Sequence, residues 1–437
     1  MAVGGFIYLS RKDAIMKTLT LPNKIRIFFT PDERLRSATV GVWVSAGCKN
    51  ENADNNGISH FIEHIVFKGS QKRTGFEIAE GMDEIGASVN AYTTKEYTFF
   101  YTRALDYRIL TAADILFDML TSPRLDEKDI ETEKGVVFEE ISMCEDDPSD
   151  VCYELNERML FQGDNLSREI LGSVESVKNI TKEKIEAYMK NFYVGENIVI
   201  GVSGSFDEEE MLQKIKEYFS FLPSEGERSD LSALPFNGGF ALKQMPTEQT
   251  HISLTFPGVP IAHEDLYALQ ICTFILGTGT SSMLNQRIRE QLGLVYSVDC
   301  WLGRYVHGGY TAVSMSLVPK SEKKAIEETV KIILDFPNEI TERKVEIAKE
   351  KLISSLIMSR EQPQSKFSAV GYNTLLLGRV IEDDDIIRDI KRVSPEDVRR
   401  VYGKYFRFDK MLFTAVGKVK GEGEYKKILE GVYGAGN

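Results

Sequence analysis

The sequence predicts an α+β protein made of two tandem, duplicated domains, each a mainly antiparallel sheet covered by helices. Three observations predict this. The chain has 437 residues, more than a single hydrophobic core usually serves, so two domains of about 200 residues each are expected. Segments alternating with a period of two are interleaved with longer segments whose apolar residues recur at helical spacing. The chain also repeats itself: IKRVSPEDVRRVYGKYFRFDKMLFTAVG, from Ile390, overlays VKNITKEKIEAYMKNFYVGENIVIGVSG, from Val177, with matching apolar positions and a closing glycine in each copy, Gly417 and Gly204.

Taken in order, residues 1 to 16 hold no basic stretch followed by a long apolar run, so neither a secretory signal nor a membrane anchor is expected. MKTLTLPNKIRIFFT reads as a hairpin about a Pro-Asn turn, and residues 38 to 47 as a buried strand ending at glycine. A helix follows over GISHFIEHIVFKGS, then a second at 76 to 85. VNAYTTKEYTFFYTRAL is predicted to be a pair of strands. Further helices are expected at 106 to 121, 126 to 145, 148 to 161 and 181 to 192, then a strand in ENIVIGVSG. Residues 222 to 239 are rich in Ser, Pro, Gly and charge and read as a linker between a first domain, 1 to 221, and a second, 240 to 437. In the second domain SVDCWLGRYVHGGYTAVSMSL repeats the first strand pair, each following a helix and a glycine, Gly293 and Gly86. The GTGTSS run at 277 to 282 lacks the lysine of a phosphate loop and is expected to cap a helix.

With 42% hydrophobic and 27% charged residues the composition is that of an ordinary soluble protein, and the net charge of -13 disfavours nucleic acid and anionic membranes as partners. A mild preference for basic peptides is compatible with that charge. The five cysteines, Cys48, Cys144, Cys152, Cys272 and Cys300, show no C-x-x-C pairing; an odd count suits packing roles in a reducing, cytoplasmic setting.

The chemistry is carried by the helix over residues 57 to 70. Ile58, Phe61, Ile62, Ile65 and Val66 fall on one face and predict its buried side. On the opposite face His60 and His64 are one turn apart, so both imidazoles can hold one metal ion, with Glu63 beside them. This H-x-x-E-H order inverts the H-E-x-x-H zinc motif and is that of the inverzincins. The bland alternative is a solvated helix face, which the fully apolar back of the helix disfavours. Catalytic zinc usually takes three protein ligands, so a third is owed. LDEKDIETEKGVVFEEISM places Glu133 and Glu140 two turns apart on one helix face, with Val136 and Val137 between them. Carboxylates beside an apolar seam need a cation, so Glu140 is read as the third ligand and Glu133 as a catalytic group behind it that orients the site or the attacking water. Glu139 points away and is expected to face solvent.

With these residues in hand, the sequence resembles the pitrilysin and insulysin peptidases and their relatives, the mitochondrial processing peptidases. The resemblance rests on GISHFIEHIVFKGS, on Glu140 and its companion Glu133, on Gly86-Ala-Ser-Val-Asn90-Ala-Tyr-Thr93, and on Arg289-Glu-Gln-Leu-Gly-Leu-Val-Tyr296. Ile62, Ile65 and Ser70 depart slightly from the commoner residues, without touching the chemistry. The resemblance implies a processing-peptidase-like fold and one zinc ion per chain. It also implies that Asn90, Ala91, Tyr92 and Thr93 present a strand edge to an extended substrate, and that Arg289 and Tyr296 bind it from the second half. Half-length members of the family enclose substrate between paired chains, so a homodimer, or a heterodimer with a related chain, is expected.

The second half carries no H-x-x-E-H, and its helix ITERKVEIAKEKLISS places Ala348 opposite Glu133 and Ser355 opposite Glu140. His251, His263 and His307 are scattered and read as structural. The expected function is zinc-dependent endoproteolysis of unstructured or presequence-like peptides, with Glu63 as general base. Two alternatives stay open, a non-catalytic subunit of a processing complex and a hydrolase of non-peptide amides; nitrogen and oxygen ligands also admit manganese or cobalt.

Overall fold

The computed structural model describes residues 16–226 and 233–434. The expected absence of a signal in residues 1 to 16 therefore falls almost wholly outside the described residues, as does the middle of the 222-to-239 linker.

The first sheet contains β1 (Lys17–Thr20), β2 (Arg26–Pro31), β3 (Ser37–Val44), β4 (Ser88–Thr93), β5 (Thr98–Leu105) and β6 (Ile198–Gly204), in the order β1-β2-β6-β3-β5-β4. Only β2 and β6 run parallel. Among the described residues it is accompanied by the α-helices α1 (Ile58–Ile65), α2 (Gly75–Glu84), α3 (Ile109–Thr121), α4 (Glu127–Asp146), α5 (Pro148–Leu160), α6 (Val174–Lys178), α7 (Lys182–Phe192) and α8 (Glu208–Phe219).

Among the described residues, the second sheet repeats the plan without a counterpart of β1. Its strands are β7 (Gly239–Gln244), β8 (Thr250–Pro257), β9 (Ser297–Arg304), β10 (Gly309–Leu317) and β11 (Leu412–Gly417), ordered β7-β11-β8-β10-β9, with β7 and β11 parallel. Around it lie α9 (Leu266–Leu276), α10 (Glu322–Glu339), α11 (Glu342–Arg360), α12 (Pro363–Leu377), α13 (Asp383–Arg392), α14 (Pro395–Tyr405) and α15 (Glu422–Tyr433). The same strand order in both sheets is the duplication made visible. As the GTGTSS reading expected, Ser282 sits at a helix start, its Oγ accepting the Asn285 N–H at 3.4 Å.

Each sheet has one core against helices of its own half. The other face is covered by a helix from the opposite half. Val151, Cys152 and Leu155 of α5 pack with Ala241, Ala312, Leu412 and Val416 of the second sheet. Phe367 and Leu375 of α12 pack with Phe28, Trp43, Phe99 and Val199 of the first. Gly371 lets α12 lie directly on the indole, since a Cβ there would stand 2.2 Å from a Trp43 ring atom. The two sheets are thus strapped together by an exchange of helices, which fixes the second half against the first.

Candidate metal centre

α1 is built as its sequence stripe requires. Ile58, Phe61, Ile62, Ile65 and Val66 are all buried in the first core. The helix starts after Gly57, whose φ of 91° is cheap only for glycine and where a Cβ would stand 2.6 Å from the Leu171 carbonyl oxygen. The buried Glu51 carboxylate accepts the Gly57 N–H at 2.7 Å and the Ser59 N–H at 2.9 Å, satisfying the first free amides of α1 and fixing its direction. α4 packs beside it through Ile130, Val137 and Ile141. The expected seam is only half present: Val137 is fully buried, whereas Val136 is 42% exposed, because α4 turns the Val137 side of the helix toward the core. Glu139 faces solvent as expected.

One ligand atom from each of His60, His64 and Glu140 lies within 4.8 Å of the other two. Glu140 Oε2 stands 3.7 Å from His60 Nε2 and 3.6 Å from His64 Nε2. That oxygen is buried and has no hydrogen-bond partner among the described residues. A buried, unpartnered carboxylate oxygen facing two imidazole nitrogens is what a divalent cation satisfies, so the donor set fits zinc. Burial, reinforced by the nearby His64, drives the His60 pKa down to about 3, which keeps this imidazole in its neutral, ligating form.

Glu133 lies behind the cluster, almost wholly buried, with His64 Nδ1 at 2.8 Å from its Oε1 and Lys68 Nζ at 2.6 Å from its Oε2. Burial alone would raise this carboxyl, but the His64 and Lys68 contacts outweigh it and hold it below the ordinary range. For His64, burial lowers and the Glu133 bond and nearby carboxylates raise, with a net rise. Proton donation from Nδ1 to Glu133 leaves Nε2 as the ligating nitrogen. Glu133 thus bonds His64 from behind the cluster. The sequence reading did not include Lys68, which follows α1 in a short 3₁₀ turn, Val66–Lys68. Lys68→Met is expected to weaken zinc binding by about 10- to 100-fold, the usual cost of removing an outer partner of a metal ligand; competition against a chromogenic chelator measures it, and Lys68→Arg should retain most of the affinity.

Glu63 sits one residue before His64 and accepts a hydrogen bond of 2.6 Å from Thr93 Oγ1, at the end of β4. Burial raises its pKa, and the Thr93 bond and His64 oppose that. β4 is the edge strand of the first sheet. Tyr92 and Thr93 line a cavity of about 400 Å³ together with His60 and Glu63. Asn90 and Ala91 lie further along the strand, outside that lining, and the Asn90 side chain folds back to accept the Ala91 N–H at 2.8 Å. Carboxylates dominate the polar wall of the cavity: Glu145, Asp150, Glu154 and Glu169 against Arg158 and Lys243. Arg289 and Tyr296 do not line it. Both are exposed, Tyr296 at 75%, on the π-helical turn Asn285–Gln291 and just before β9. A larger hollow of about 860 Å³ in the second half contains none of these residues.

A model of the insulinase family, peptidase family M16, matches residues 26–174, and one described as the peptidase M16 inactive domain matches 179–352. The chain is 33% identical to the uncharacterized zinc protease YmxG of Bacillus subtilis over 90% of its own length and 97% of that protein's. The chain belongs to peptidase family M16. A second relative, an uncharacterized zinc protease of Mycobacterium leprae, is 32% identical over 89% of this chain and 88% of its own. Among solved structures, a peptidase M16 inactive domain from Pseudomonas fluorescens superposes with a TM-score of 0.86 at 16% identity, covering 93% of this chain and 98% of that one. A protease from Helicobacter pylori does so with a TM-score of 0.83 at 18% identity, covering 93% and 100%. The chain has two M16-like domains, each with a mixed sheet and helices. No helix among the described residues is long and apolar enough to cross a membrane.

Proposed function

We propose that this M16 protein is a zinc-dependent endopeptidase that cleaves extended, unstructured peptides, presequence-like segments among them. The observation that carries the reading is the convergence of His60, His64 and Glu140 with Glu63 beside them at the end of an edge strand. When bound, zinc supplies a Lewis acid that polarises the scissile carbonyl and acidifies water. Glu63 takes the proton from the attacking water and hands it to the leaving amine. Its burial supports this role, because a raised pKa brings a carboxylate closer to neutral working pH. Substrate adds to β4 as a further strand, so main-chain hydrogen bonds give affinity and the acidic cavity favours basic side chains. Two chains form a homodimer, or one pairs with a related chain, and Arg289 and Tyr296 reach substrate once the partner closes over it.

Recognition by strand addition requires a backbone free to become a strand. Short unstructured peptides are expected to be cut at several positions while native globular proteins survive. Proline near the cleavage site, having no N–H to donate, should block cleavage more than a side-chain swap does. Digestion of one protein in folded and in unfolded, fragmented form tests this; rapid internal cleavage of the folded form would contradict it.

A further inference from the structure

The turn between β4 and β5, residues 94 to 97, is gripped by the second half of the chain, and the grip ends on the catalytic carboxylate. Thr93, immediately before the turn, is the one residue that hydrogen-bonds Glu63 among the described residues. On the near side the turn lies flat on Gly47, where a Cβ would stand 2.5 Å from the Thr94 carbonyl oxygen, so it has no room to shift inward. On the far side three contacts hold it. Glu96, 5% exposed, accepts the Val306 N–H at 3.1 Å through Oε1 and 3.3 Å through Oε2. Tyr97 packs edge-on against Tyr372 of α12, ring centres 5.8 Å apart. Lys95 Nζ reaches Glu157 Oε2 at 2.9 Å and donates to the Leu166 and Arg168 carbonyls, each at 3.1 Å.

Glu157 is fully buried, and its other oxygen is held by three tyrosine hydroxyls. Tyr153 donates at 3.0 Å, Tyr310 at 2.8 Å and Tyr305 over a short bond. Tyr305 and Tyr310 belong to the second half and flank the β9–β10 turn. Burial disfavours the Lys95 charge, but the Glu157 and Glu154 carboxylates more than offset it and the ammonium stays protonated. A buried, fully partnered ionic cluster contributes a unique geometry more than it contributes stability. Neither the zinc ligands nor the cavity lining uses Lys95, Glu96 or Tyr305.

We infer that the β9–β10 turn of the second half is a positioning element for Glu63, acting through Glu96, Lys95–Glu157 and the β4–β5 turn on Thr93. The inference rests on the reading of Glu63 as the general base. It gives the metal-free half a task in the reaction that needs no direct contact with substrate.

The test uses the full chain with zinc, in Glu96→Ala and in the milder Tyr305→Phe, which leaves the ring against Phe161. Both should lower kcat by at least about tenfold, within the roughly hundredfold that a displacement of about 1 Å at a reacting group costs. KM and zinc content should stay near wild type, and amide hydrogen exchange should speed up across residues 93 to 97. In a Thr93→Val background, where the link to Glu63 is already cut, the same substitutions should cost little more. Equal losses with and without Thr93, a change confined to KM, or faster exchange with unchanged kcat each overturns the inference. If the wild-type protein cleaves no peptide, the peptidase reading fails, and unchanged exchange at 93 to 97 in both variants then separately removes the link itself.

Discussion

Glu63→Gln is expected to keep zinc and fold while losing at least about a hundredfold in kcat, the usual scale for removing a positioned general base. The substitution is nearly isosteric, and the amide oxygen still accepts the Thr93 hydroxyl that Glu63 Oε2 accepts now. The buried back of α1 is untouched, so the His60 and His64 rings keep their places. What disappears is the capacity to take a proton. Steady-state cleavage of an unstructured peptide, with metal content measured on the same sample, reads both halves of the expectation.

The second large effect is expected at Glu140. Glu140→Gln replaces an anionic ligand by a neutral amide, leaving two imidazoles to hold a doubly charged ion. Zinc should fall well below one ion per chain, and activity with it. A stability measurement gives an independent readout. A metal that binds only the folded chain stabilises it by about 4 kcal/mol when present at about a thousand times its Kd. Chelator should therefore lower the Tm of the wild type and of Glu63→Gln, and leave that of Glu140→Gln nearly unchanged. Equal sensitivity of all three to chelator would remove Glu140 from the ligand set.

Much of the site was legible because it is written in local periodicity. The apolar stripe from Ile58 to Val66 fixes which face of α1 is buried, and helical spacing then places His60 and His64 together. Glu133 and Glu140 were readable for the same reason, two turns apart on α4. The duplication was legible as matching text, and it fixed the common strand order of the two sheets. What sequence could not supply is contact between segments far apart in the chain. Thr93 on Glu63 and Lys68 on Glu133 depend on how β4 and the turn after α1 come to rest. The exchange of α5 and α12 is of the same kind. Gly371 reads as a weak point in a helix, and only the Trp43 ring beneath it explains the missing side chain. Val136 shows the limit of helical spacing itself: sharing a face with two buried positions does not decide which side of that face the neighbouring helix covers. Arg289 and Tyr296 came from resemblance alone; both stand exposed, and neither lines the cavity shared by His60 and Glu63.

We propose that this chain hydrolyses peptides through a zinc site whose base is Glu63. Metal analysis of the wild-type protein and Glu63→Gln, run beside digestion of one mixture of unstructured peptides by each, tests it most directly. About one zinc ion per chain is expected in both proteins, with rapid, chelator-sensitive cleavage by the wild type alone. Near wild-type cleavage by zinc-loaded Glu63→Gln, or undiminished cleavage by wild-type protein stripped of metal, would contradict it.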